Sequence, residues 1–151
     1  MQKKIGEFMS AIEFKGPILV TISYFLVYYF FICLILKTKI KLNASLKKEG
    51  KKFDRYFSQD REMLLADRTQ INMLEHMPIF LSLLWGHAIF VSITEATILG
   101  AAYTGIRALY PFVMGRKIGR DIPKRILVVT FSNYFITIYF MISLLIKALG
   151  S

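Results

Sequence analysis

Residues 16–36 read GPILVTISYFLVYYFFICLIL, with no charged side chain between Lys15 and Lys37. A helix of about 20 apolar residues crosses a hydrocarbon core of about 30 Å, so this stretch predicts a transmembrane helix. It is too long for a signal-peptide core and ends in Lys37-Thr38-Lys39 with no small-residue cleavage site, so it is expected to stay in the mature chain. Three further windows, about 63–92, 94–115 and 124–147, carry enough apolar residues to follow it. The whole chain agrees: 151 residues, 55% hydrophobic, mean hydropathy +0.49, well above a soluble domain. The expected fold is a single all-α domain over residues 1–151, a four-helix transmembrane bundle with a basic loop at about 37–62.

The net charge is +10, and its placement decides its meaning. Nine Lys or Arg lie between Leu36 and Met63, and five more at Arg116, Lys117, Arg120, Lys124 and Arg125. The turn near Ser92 to Glu95 has none, and the ends of the chain hold only Lys3, Lys4, Lys15 and Lys147. The positive-inside rule puts both basic segments in the cytoplasm and both termini outside. Such clusters fit anionic lipid headgroups, an anionic substrate, or both. Nucleic acid is not expected, because only Phe53, Tyr56 and Phe57 interleave with the basic runs. The lone Cys33 allows no internal disulfide and no thiolate metal cluster, so no metal is expected.

The second window is unlike the others. It begins in DRTQINMLEHMP, residues 67–78, where Arg68, Asn72 and Glu75 recur at i, i+4 and i+7 and form one helical stripe. His76 flanks the stripe and Gln70 points away from it. A helix over residues 63–92 would be about 45 Å long, so its first half must project to the basic interface. Counted from the turn, Glu75 and Arg107 lie about 25 and about 20 Å toward that interface, at similar depth, and are expected to pair. Tyr103, Arg107, Tyr110 and Met114 share one face of the third window and should meet the stripe of their own or a neighbouring subunit. Each polar residue taken singly could be interhelical glue, with Arg68 snorkelling to headgroups. A guanidinium, an amide, a carboxylate, an imidazole and phenols at one interface exceed that need, and they point to a functional site.

These residues resemble a known family, the membrane-associated proteins in eicosanoid and glutathione metabolism (MAPEG). The family pattern of Arg, Asn four residues on, Glu three further and Pro three beyond matches Arg68, Asn72, Glu75 and Pro78, and Gln70 also matches the leukotriene-forming members. An Arg followed three residues later by Tyr matches Arg107 and Tyr110. The long basic loop resembles that of the microsomal glutathione transferases. The resemblance implies a homotrimer with glutathione, the co-substrate, in a cleft between neighbouring subunits near the cytoplasmic face. Arg68, Gln70, Asn72, Glu75, His76, Arg107, Tyr110 and Lys37 would bind it, with His76 standing where the leukotriene-forming members have Tyr, and Lys37 and Lys39 replacing the Arg residues at that end of the first helix. The family's second tyrosine is replaced by Met114. Arg120, in RDIP, best matches the thiolate-activating Arg, and Arg125 is the alternative. A cation beside the sulfur lowers a thiol pKa from about 8.5 and raises the nucleophile's concentration.

The function so implied is a membrane-bound glutathione transferase, with peroxidase activity left open, joining the thiolate to lipophilic electrophiles that enter from the bilayer. The expected setting is a bacterial inner membrane or the endoplasmic reticulum, with lipids as neighbours and the site toward the cytoplasm. The alternative is a non-catalytic lipid-binding scaffold of the same fold.

Overall fold

The computed structural model describes residues 13–54, 60–115 and 124–150. They form α1 (Lys15–Lys48), α2 (Arg61–Phe90), α3 (Ile93–Ala108), the single-turn α4 (Tyr110–Met114) and α5 (Lys124–Leu149). α1, α2 and α5 are each long and apolar enough to cross a membrane, and the protein is an integral membrane protein built as a helical bundle.

Two boundaries differ from expectation. α1 does not stop near residue 36 but runs 34 residues to Lys48, so residues 37–48 of the expected loop are helical. Lys, Leu and Ala are good helix formers, and the low hydropathy of KTKIKLNASLKK marks departure from the bilayer, not from the helix. The stop is set by Gly50, two residues past the helix, whose φ is +71°. There the Lys51 N–H donates to Leu46 O and the Gly50 N–H to Lys47 O, the pair of bonds of a Schellman cap. The third window, expected over 94–115, is broken at Leu109 into α3 and α4. Pro111 has no N–H to give to the carbonyl four residues back, and its ring crowds the preceding turn, which breaks the helix here, whereas Pro78 is carried inside the continuous α2.

The other ends follow local signals. Asp60 caps α2 by accepting from the Met63 N–H at 2.9 Å, and Ser92 caps α3 by accepting from the Glu95 N–H at 3.3 Å. The α2–α3 turn is therefore only Val91 and Ser92, which forces the two helices into antiparallel contact.

α2 and α3 occupy the middle of the bundle. α1 packs on both from one side and α5 on both from the other, and α1 and α5 do not touch. The centre is aromatic: Phe80 of α2 stacks on Tyr103 of α3 at 3.9 Å and 5°, and Tyr24 of α1 lies 5.0 Å from Phe80. The Tyr24 hydroxyl donates to Met73 O at 2.9 Å, so this buried phenol keeps a polar partner. Gly100 lets three helices meet, since a Cβ there would stand 2.6 Å from Leu84 Cδ1 and 2.9 Å from Val20 Cγ1.

Candidate functional site

The site is built around Arg107, in the last turn of α3 and 1% exposed. Its Nη1 donates to Asn72 Oδ1 on α2 and its Nη2 to Tyr103 Oη at 3.5 Å, while the guanidinium carbon stands 5.6 Å from the Tyr103 ring centroid. Tyr103 is itself fixed by its stack on Phe80, so the cation is held by a rigid aromatic wall and one amide. Its Nε has no hydrogen-bond partner among the described residues. No carboxylate among them makes an ion pair with Arg107.

Within the chain the expected Glu75–Arg107 pair is thus not formed, and Asn72 takes its place. Depth was matched but azimuth was not. Residues advance 100° each around a helix, so Glu75 lies about 60° beyond Asn72, farther from the buried side of α2 marked by Thr69, Met73 and Phe80. Glu75 is exposed on the outside of the chain, as is Arg68. Tyr110, which opens α4, is buried against Ile126 and Val129 of α5. His76 is half-buried, feels both Glu75 and Arg107, and places its ring 5.5 Å from that of Tyr134 on α5. Asn72, bound to Arg107, and His76, against Tyr134, therefore lie on the α3/α5 side of α2, and helical spacing puts Arg68 and Glu75 on the same stripe.

Gln70 and Lys37 are elsewhere. Gln70, two residues before Asn72 and so about 160° around the helix, donates to Tyr28 Oη on α1 at 3.0 Å. Lys37 lines a cavity between α1, α2 and α4. Met114 packs beside Tyr110, Ile126 and Val129. Arg125 is exposed in the first turn of α5, and Arg120 lies outside the described residues.

α5 contributes what the sequence reading did not single out. Tyr134 and His76 edge an apolar groove of about 470 Å³ walled by Ile79, Phe131, Phe135 and Ile138. Asn133 is 1% exposed with neither end of its amide partnered among the described residues. The signal was the polar pair Ser132-Asn133 inside an otherwise apolar span.

In chemical terms, a buried guanidinium with spare donor capacity, an exposed guanidinium and an exposed carboxylate lie on or against the α2 stripe, whose His76 edges an apolar groove. Such a surface can hold an anionic, partly zwitterionic ligand against a lipophilic one. No curated protein and no solved structure matches the chain. The sequence model of the MAPEG family matches residues 17–146, nearly the whole bundle including every helix that carries these side chains. The chain belongs to the MAPEG family.

Proposed function

We propose that this protein is a glutathione transferase of the microsomal type, binding glutathione on the Arg107 side of α2 and joining its thiolate to a lipophilic electrophile. The observation that carries the reading is Arg107, a buried cation whose nearest acceptor is a neutral amide and which has no counter-ion among the described residues. Keeping an uncompensated charge buried costs several kcal/mol, and an anionic ligand in the cleft would offset it. Glutathione carries two carboxylates and one ammonium, which suit Arg68, Arg107 and Glu75 in turn. The groove edged by His76 and Tyr134 supplies an apolar berth next to the thiol.

The division of polar residues between two sides of α2 supports a homotrimer. Gln70 is held against Tyr28 of its own α1, while Arg68 and Glu75 lie open on the other side, where a neighbouring copy would cover them. Arg120 is the thiolate-stabilising cation in this reading, and the cleft opens toward the cytoplasm, where the basic segments lie, in a bacterial inner membrane or the endoplasmic reticulum. The scaffold reading draws on Met114, an apolar side chain packed where the family has a second tyrosine.

Calorimetric titration of glutathione into the purified protein, with thiolate absorbance recorded in parallel, tests this reading. Arg68→Ala should weaken binding by about 10- to 100-fold, the equivalent of one charge-assisted contact. A wild-type protein that neither binds glutathione nor forms thiolate leaves the scaffold reading in its place.

A further inference from the structure

We infer that the cavity between α1, α2 and α4 is a second site, separate from the thiol cleft, which holds the monoanionic phosphodiester headgroup of a bilayer phospholipid. The cavity measures about 420 Å³, within the usual range for ligand pockets. Its walls are graded along α1. Phe30, Phe31 and Leu34 line the deeper part, facing Leu65 of α2 and Phe112 of α4, and Lys37, Thr38 and Lys41 line the outer part with Glu62. Lys37 is the first charge after the apolar run, so the grading crosses from hydrocarbon to headgroup level within two turns of one helix.

The charges select the headgroup. Lys41 is already paired with Glu62 at 2.7 Å, while Lys37 has no ion-pair partner among the described residues. The lining therefore carries one net positive charge, centred on Lys37, with the Thr38 hydroxyl beside it as a donor. A phosphodiester with no ammonium of its own neutralises that charge. A zwitterionic headgroup adds an ammonium for which no free carboxylate is left, because Lys41 occupies Glu62. One acyl chain can then leave the cavity along Phe30 and Phe112, both exposed at its rim.

The cavity is on the opposite side of α4 from Tyr110 and Met114, so its occupancy does not require glutathione in the other cleft. The test uses the full chain in detergent, incubated with phosphatidylglycerol or phosphatidylcholine, and reads retained lipid by native mass spectrometry. Phosphatidylglycerol should be retained by about fivefold over phosphatidylcholine, the factor of one lysine at an anionic headgroup. Lys37→Gln should abolish the preference. Lys39→Gln removes the same charge from an exposed position on the same helix that does not line the cavity, and should leave the preference intact. Leu34→Trp keeps every charge but fills the cavity, and should lower retention of phosphatidylglycerol. Equal retention of the two lipids by the wild type, equal losses in Lys37→Gln and Lys39→Gln, or full retention by Leu34→Trp would each overturn the site. Glutathione titration of Leu34→Trp keeps the two readings apart, since filling the cavity should lower lipid retention and leave thiol binding unchanged.

Discussion

Arg107 at the end of α3 is bound to Asn72 of α2 and not to Glu75, three residues further along the same helix. The difference decides which of the polar residues in the second span stabilise the bundle and which are free to meet a ligand. Asn72 closes a contact between the two central helices, whereas Glu75 faces outward.

Asn72→Leu should destabilise the protein by about 3 kcal/mol, because it leaves a buried guanidinium with one fewer acceptor. Glu75→Gln should change stability by no more than about 0.5 kcal/mol, as for an exposed side chain without a buried partner. Thermal unfolding in detergent measures both. In Arg107→Met combined with Asn72→Leu, the loss should fall short of the sum by about 1 kcal/mol or more. Strict additivity would show the two side chains to be independent.

Gly100→Ala should cost about 1–3 kcal/mol, because its new methyl would press on Leu84 and Val20 in a packed core. Combining it with Leu84→Ala should cost less than the two changes added together. Circular dichroism melts of the four proteins supply the comparison.

Arg120→Ala should leave glutathione affinity nearly intact while moving the bound thiol's pKa back toward about 8.5. Arg68→Ala should do the reverse, weakening affinity with little change in the pKa of whatever remains bound. A thiolate signal kept by Arg120→Ala and lost by Arg125→Ala would transfer the activating role to Arg125.

A homotrimer is expected by native mass spectrometry in mild detergent, and a monomer as the sole species would count against it. With Cys33 replaced by Ala, the single cysteines of Lys3→Cys and Lys48→Cys should be labelled from opposite sides of the membrane. Labelling of both from one side would overturn this topology.

The membrane class was legible because hydropathy reports directly on which residues meet lipid, and residues 16–36 state it without ambiguity. The family was legible because Arg68, Asn72, Glu75 and Pro78 keep helical spacing in a setting where polar residues are costly. Helix ends were harder. Hydropathy falls at Lys37 but the backbone continues to Lys48, and only the basic last turn followed by Gly50 marks the true stop. The break at Leu109 had its signal in Pro111, which was absorbed into an apolar window. The partner of Arg107 could not be found from depth alone, since depth and azimuth are separate coordinates and only packing fixes the second.

The shortness of α3 bears on how the chain enters a membrane. Sixteen residues rise about 24 Å, less than the about 30 Å a lone span needs, and the last turn carries an arginine. Released by itself into lipid, this segment would bring a bare cation with it, at about 3 kcal/mol on insertion scales. The two-residue turn at Val91 and Ser92 delivers it instead directly alongside α2, where Asn72 is already waiting on the preceding helix. The two central helices are therefore suited to partition from the translocon together as a hairpin, and a nascent chain halted before Asn72 can meet Arg107 would be the form most exposed to quality control.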